Sequence, residues 1–390
     1  MGSAEGHPVI RWLMSDARKI TEPAEFLDAF AQRLLQAGVA VTRVTTGVPL
    51  LHPQIASFSG LWQLGKGVSE RRYRAISSTM DALLNSPIVI AYRGDGPVRC
   101  LMTGPPNDQE FPIVKELRAE GLTDYVVLSV PFADGSHKAL SLATNRPDGF
   151  HDDEIALFNA LLPAFAFNLE IQTLRRTART LLDTYVGRQA GARVLDGQIM
   201  RGMGETINAV IWLCDLRGFT SLSERLERDL LIELLNQYFG PMCDAVENAG
   251  GEVLKFIGDA MLAIFPVADA PAPACRRALA AAATARAALL ETNRARAEAG
   301  LPRIAYGLGL HVGEVLYGNI GGESRLDFTV IGPAVNLTAR IESLCGELKR
   351  ELLLSADFVS AAGVPADEVG EFELHGVGER QRVFAPREPA

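Results

Sequence analysis

Apolar positions at Phe26, Leu27, Phe30, Leu34 and Leu35 recur at helical spacing and predict a helix over Pro23–Ala37. Strand-length apolar runs follow at Ala40–Val44, Pro87–Tyr92, Tyr125–Phe132 and Ala139–Thr144. Ala133-Asp134-Gly135-Ser136 carries a hairpin signal between the last two. Phe150-His151-Asp152-Asp153-Glu154 then opens a helix with acidic residues in its first turn, where the helix dipole favours them. Helix, antiparallel sheet and closing helix make an α+β arrangement.

The closing helix runs on. Leu157, Ala160, Ala164, Phe167, Ile171, Leu174, Ala178, Leu181 and Tyr185 alternate at spacings of three and four, which predicts a two-stranded coiled coil. One long amphipathic helix packed on its own domain is the alternative. Gly187, Gly191 and Gly197 interrupt the pattern. From Asn208 the alternation predicts a strand (208–214), two helices (222–238 and 241–249), a strand (252–258), a tight turn at Gly258-Asp259 and a strand (260–265). An alanine-rich helix (270–298), strands at 304–312, 314–320 and 326–331, and a helix at 333–346 complete the pattern. The order βααββαβ is that of a ferredoxin-like core with additions.

Composition narrows the class. The 390 residues suffice for two or more domains, and 48% hydrophobic with 22% charged content suits a soluble globular protein. The longest apolar runs look short of the ~20 residues of a membrane span, and residues 1–25 show no signal-peptide pattern. Five scattered cysteines make neither a disulfide framework nor a metal knuckle, so a reducing cytoplasmic compartment is expected, with Cys214 a buried thiol. A net charge of −9 argues against a nucleic-acid partner. With only six lysines in the chain, Lys255 in mid-strand stands out.

Two aspartates sit where apolar strands end: Asp215 after Val210-Ile211-Trp212-Leu213-Cys214, and Asp259 between Phe256-Ile257-Gly258 and Ala260-Met261-Leu262. Such a carboxylate is a fixed charged oxygen at the lip of a sheet, and two on neighbouring strands suit a pair of divalent ions for displacement at phosphorus. Taken singly, Asp259 also suits a hairpin turn. Strand alternation puts Lys255 on the face of Val253 and Ile257, where an ammonium needs a partner or a ligand; a snorkelling edge lysine is the plainer alternative. Asn336 and Arg340, four apart after Gly332-Pro333, share a helix face, as a solvated polar pair would also do.

Four stretches in order resemble the catalytic domain of class III nucleotidyl cyclases of the bacterial homodimeric kind, over about residues 205–386. They are Asp215-Leu216-Arg217-Gly218-Phe219-Thr220, Lys255-Phe256-Ile257-Gly258-Asp259-Ala260, Gly307-Leu308-Gly309-Leu310-His311-Val312-Gly313 with Tyr317-Gly318-Asn319-Ile320-Gly321, and Val330-Ile331-Gly332-Pro333-Ala334-Val335-Asn336-Leu337-Thr338-Ala339-Arg340. The resemblance implies that Asp215 and Asp259, with the Leu216 carbonyl, hold two Mg²⁺ or Mn²⁺ ions. It implies that Lys255 and Thr329 read the purine, a pair that favours ATP over GTP, and that Phe219 and Thr220 lie on the substrate side. Asn336 and Arg340 would orient the ribose and stabilise the pentavalent phosphorus. The aspartates would come from one subunit and Lys255, Thr329, Asn336 and Arg340 from the other, so a homodimer with composite sites converts ATP to cyclic AMP and pyrophosphate. His375, in Leu374-His375-Gly376, stands where relatives often place a basic residue on the terminal phosphates; Glu314 stands where some have an arginine, and Arg325 is a possible substitute.

Leu128-Ser129-Val130-Pro131-Phe132 and Arg146-Pro147-Asp148-Gly149-Phe150 before the closing helix resemble the second half of GAF-type sensor domains. The expected organisation is a GAF-like sensor (1–156), a linking coiled-coil helix (157–190) and a cyclase domain (191–390). The sensor would answer a small-molecule or protein signal that its residues do not identify. His52, His137 and His151 are candidate ligands of haem or metal, though each more often serves as a surface or turn histidine. Phe58-Ser59-Gly60-Leu61-Trp62 lines either a pocket or a core. Two rivals stand beside the adenylate cyclase: a guanylate cyclase, which Lys255 opposes, and a degenerate scaffold, which has no need of Asp215, Asp259, Asn336 and Arg340 together. Gly250-Gly251-Glu252 resembles the diguanylate cyclase turn only in passing, since Val253 follows it.

Overall fold

The computed structural model describes residues 6–49, 55–74, 85–106, 110–197, 200, 202, 204–323 and 325–387. Two compact units divide the chain, Met1–Leu181 and Leu182–Ala390.

The first unit contains α1 (Pro8–Met14), α2 (Pro23–Gln36), β1 (Arg43–Pro49), β2 (Ile55–Gln63), β3 (Gly67–Arg74), α3 (Pro87–Tyr92), β4 (Val98–Leu101), α4 (Pro112–Ala119), β5 (Asp124–Pro131), β6 (His137–Thr144) and most of α5 (Asp152–Tyr185). Its sheet is antiparallel in the order β3-β2-β1-β6-β5-β4. Phe26, Phe30, Trp62, Phe158 and Phe165 share the larger of its two cores; Val114, Leu117, Tyr125 and Val127 share the other. Pro87–Tyr92 is a helix, not the expected strand. Ser86 Oγ accepts from the Ile88 N–H, and Pro87 occupies the first turn. A cap with a proline behind it outweighs a short apolar run whose length suits either element. Trp62 belongs to the core and donates through Nε1 to Asp28 at 2.8 Å. The Arg146–Phe150 segment ends in a buried junction at Gly149 and Phe150, where Asp124 accepts from Arg99 and from the Phe150 N–H at 2.8 and 2.9 Å.

Helix α5 passes through Pro163 without a break. Phe158, Leu161, Phe165 and Leu169 are buried in the core, while Phe167, Leu174, Leu181 and Tyr185, all from the expected seam, are exposed. The apolar runs are longer than the sequence suggested, for α5 is apolar enough to cross a membrane by length and composition. A core helix passes the same test.

The second unit contains α6 (Arg188–Leu195), β7 (Gly204–Leu216), α7 (Phe219–Arg225), α8 (Arg228–Asn248), β8 (Glu252–Ile257), β9 (Ala260–Pro266), α9 (Pro271–Glu298), β10 (Tyr306–Gly321), β11 (Leu326–Ile331), α10 (Pro333–Glu347), β12 (Leu352–Ser355), α11 (Ala356–Ala362), β13 (Ala366–Phe372) and β14 (Gln381–Pro386). The sheet order is β13-β14-β12-β10-β7-β9-β8, with β11 paired to β10. Its β10-β7-β9-β8 stretch is the antiparallel ferredoxin-like core that βααββαβ predicts. Helices α8 and α9 bury Leu234, Tyr238, Met242, Ala278, Ala281 and Ala285 with Trp212, Cys214, Met261 and Phe265 of the sheet. Burial pushes the Cys214 thiol up to about 11.

Two predicted breaks are absent. Helix α8 continues through Pro241, and β10 is one strand where two were expected at Gly313. Gly313 stays paired with Ala209. Its lack of a side chain serves packing instead: a Cβ there would lie 2.9 Å from the Ala334 Cβ of α10, and one on Gly309 would lie 2.8 Å from the Thr338 carbonyl oxygen. Gly307, Gly309 and Gly313 share one face of the strand by alternation. On that face α10 lies almost on the backbone of the sheet.

Candidate active site

Strand β7 is paired on both sides to its last residues, Asp215 with Ala260 of β9 and with Gly307 of β10. Gly258, in the left-handed region at φ 64°, turns β8 back into β9 and sets Asp259 beside that strand end. The Asp259 carboxyl is near enough for its charge to act on Asp215. Burial, then the charge of Asp259, pushes the Asp215 carboxyl up to about 6, against the opposing pull of Arg217. Two carboxylates so close resist ionising together, and a divalent cation relieves both. Among the described residues no cluster of three or more His, Cys, Asp or Glu completes a protein-only metal cage. An all-oxygen pair suits a hard ion that keeps water and substrate phosphate as its other ligands, as Mg²⁺ does. Leu216 is buried at the strand end, Phe219 packs against the core beneath α7, and Thr220 is exposed on α7.

Lys255 is aimed by an irregularity that strand alternation could not anticipate. Val253 pairs with Ala263, yet Lys255 pairs with Leu262, so a β-bulge falls at Leu254. Cross-strand partners share a face, and Ala263 and Leu262 are on opposite faces. Lys255 therefore shares its face with Ile257, as expected, but not with Val253, which packs into the helix-covered core. Bulges next to functional sites commonly re-aim a side chain in this way. The lysine's partner is Asp327 of β11, with Nζ 3.4 Å from Oδ2. Thr329, two residues on and so on the same side of β11, is 3% exposed, and its Oγ1 has no hydrogen-bond partner among the described residues. An orphaned hydroxyl beside an ion pair is a place that a polar ligand edge would satisfy.

Asn336 and Arg340 are exposed on the side of α10 opposite Thr338, Ile341 and Glu342, which are buried. Among the described residues neither makes a side-chain hydrogen bond or ion pair. The chain gathers Asp215 with Asp259, and Lys255 with Asp327 near Thr329, but turns Asn336 and Arg340 outward. His375 is exposed in the loop between β13 and β14, and Glu314 and Arg325 are exposed on and beside the β10–β11 hairpin. His137 packs on Gly94, whose Cβ would lie 2.8 Å from its ring, His151 is exposed, and His52 lies outside the described residues.

Two residues of the site region escaped the sequence reading. Asp327 was legible as an acid two residues before Thr329 on one strand face, though not its pairing with Lys255. Glu252, taken there for an accidental motif, is 4% exposed and accepts from the Tyr317 hydroxyl at 2.7 Å and the Ala190 N–H at 3.0 Å. It fastens α6 to β8, which carries Lys255, and to β10, the strand that pairs with the strand of Thr329.

Residues 203–384 match the family described as the adenylate and guanylate cyclase catalytic domain. An adenylate cyclase of Anabaena cylindrica is 38% identical over 168 residues, which are 42% of this chain and 32% of that protein. A terminal-differentiation-specific adenylate cyclase of Dictyostelium discoideum is 32% identical over 169 residues, 43% of this chain and 8% of that protein. Among solved structures, the guanylyl cyclase Cya2 is 34% identical over 46% of this chain and 92% of its own, with a TM-score of 0.42. The chain thus spans about a third of one curated relative and under a tenth of the other.

Proposed function

Because residues 203–384 belong to the adenylate and guanylate cyclase catalytic domain family, we propose that the protein is an adenylate cyclase acting as a homodimer under the control of its N-terminal unit. The observation that carries this reading is the juxtaposition of Asp215 and Asp259 at the open end of β7, where burial and then the charge of Asp259 push the Asp215 carboxyl up to about 6. Asp215, Asp259 and the Leu216 carbonyl would hold two Mg²⁺ or Mn²⁺ ions; when bound, these supply charge neutralisation on the triphosphate and a more acidic 3′-hydroxyl. The 3′-oxygen attacks the α-phosphorus, and pyrophosphate leaves. Among the described residues the side chains of Asn336 and Arg340 have no partner, which supports their service to a second subunit's substrate. There Arg340 would meet the charge that develops on the transferring phosphoryl group. His375 would reach the terminal phosphates only when protonated.

Lys255 donates to a ring acceptor of adenine, and the unpartnered Thr329 hydroxyl pairs beside the exocyclic amine. Asp327 keeps a guanylate reading alive, because a carboxylate 3.4 Å from Lys255 is the acceptor that guanine N–H groups need. The exposed seam of α5, Phe167-Leu174-Leu181-Tyr185, supports a parallel helix pair between subunits. The N-terminal α+β unit would act as a GAF-like sensor, with domain bounds near 156 and 190.

Purified protein supplied with ATP or GTP and Mn²⁺, beside Asp259→Ala, tests the proposal. Cyclic AMP formed from ATP and lost in the variant is the expected result. Cyclic GMP instead would move the assignment to the guanylate reading. No product from either nucleotide, with the dimer intact, would refute the enzyme as proposed.

A further inference from the structure

Arg217 stands two residues beyond Asp215, where its backbone N–H donates to the Ala305 carbonyl oxygen at 2.8 Å. Its guanidinium turns inward to α10. Nη2 donates to the Glu342 carboxylate at 2.6 Å and to the Glu342 backbone carbonyl at 2.8 Å. The Glu342 side chain is 7% exposed and that of Arg217 29%. Two glycines shape the socket. A Cβ on Gly307 would fall 1.9 Å from Nη2, and one on Gly346 would fall 3.7 Å from Nη1. Strand, helix and carboxylate are all cut to fit this one guanidinium.

A buried ion pair is weak evidence for stability, because apolar side chains of similar volume often serve as well. What a planar fork adds is direction. The helix it holds is the one that presents Asn336 and Arg340, and Arg340 is two residues from Glu342. We propose that Arg217 is a positioning residue: through Glu342 it sets α10, and with it Asn336 and Arg340, against the strand end that carries Asp215. The inference rests on the composite-site reading above. Under that reading one subunit lends its aspartates to one active site and its α10 to the other. The clamp therefore ties the metal half of one site to the transition-state half of its twin. Losing it harms the site that receives α10, although Arg217 is next to the aspartate of the opposite site.

The test uses two differently tagged full-length chains, co-expressed and purified through both tags. One carries Asp259→Ala and the other Asn336→Ala with Arg340→Ala, so a single complete site remains, built on α10 of the first chain and the aspartates of the second. Arg217→Lys, which keeps the charge near Asp215 but loses the fork, is placed in one chain at a time. In the first chain it should lower kcat on the order of tenfold, as small misplacements do, with KM for ATP within about threefold. Glu342→Gln in that chain should do the same. In the second chain both should leave kcat within about twofold. Equal loss from both placements, or loss from the second chain alone, overturns the inference. So does a lower melting temperature with unchanged kcat, which would leave the pair a structural tie. An inactive parent pair, before any change at Arg217, sinks the composite-site reading and the inference with it.

Discussion

Replacing Gly309 by alanine tests how closely α10 must lie on the sheet. The new Cβ would meet the Thr338 carbonyl oxygen at 2.8 Å, the Glu342 backbone nitrogen at 2.9 Å and the Glu342 Cβ at 3.1 Å. Two of these three are backbone atoms of one helix, so no side chain can swing aside. Ordinary contact begins at 3.4 Å, and 3.4 − 2.8 leaves a retreat of 0.6 Å for the helix. Overpacking of that size costs about 1–3 kcal/mol, and each kcal/mol lowers the melting temperature by about 2–4 °C in a domain of this size. The retreat also displaces Asn336 and Arg340, and a sub-ångström misplacement at a phosphoryl-transfer site costs on the order of tenfold in kcat. The assay is thermal melting beside kcat and KM with Mn²⁺ and ATP. Gly378→Ala is the control, since a Cβ there meets nothing within 4 Å. If the two variants melt and turn over alike, the argument for a tightly seated α10 is wrong.

Three more outcomes follow from the same geometry. Asp215 is raised from 3.8 to about 6, so its neutral form is favoured in the fold; the stability this carries is full below the unfolded value and lost as pH rises through the folded one. A bound divalent ion reverses that loss, so the melting-temperature gain from Mn²⁺ should grow between about pH 5 and about pH 7.5 and disappear in Asp215→Asn; a pH-independent gain would count against the paired-carboxylate site. Asp327→Asn should shift the ratio of kcat/KM for ATP to that for GTP by about threefold or more, and an unchanged ratio would remove Asp327 from base reading. Glu252→Ala leaves the Ala190 N–H and the Tyr317 hydroxyl without an acceptor, a loss of about 2 kcal/mol or more; faster hydrogen exchange of the 188–195 amides is expected, and unaltered protection would refute its role as the anchor of α6.

The ferredoxin-like order was legible because each core element of the second unit has a strong local period, and the strand-end aspartates mark where two of those periods stop. Expected elements failed where a local signal was ambiguous, and the helix expected over 222–238 is divided between α7 and α8. Ile88-Val89-Ile90 suits a strand until the Ser86-Pro87 cap is weighed. Gly313 suits a turn until a helix is known to lie across it, and Pro241 a break until the helix is seen to continue.

Which residues meet was another matter. The composition and alternation of β8 place a lysine near the site, but the bulge at Leu254 that turns it toward Asp327 depends on pairing with β9, some seven residues away across a turn. Arg217 and Glu342 are 125 residues apart, and no local pattern joins them. Period and turn chemistry are short-range properties that neighbouring residues impose on one another. Pairing register and helix-on-sheet distance are set by how the whole sheet closes, so the aimed lysine exists only once β8 has paired with β9, and the clamp only once α10 lies across β10 and the end of β7.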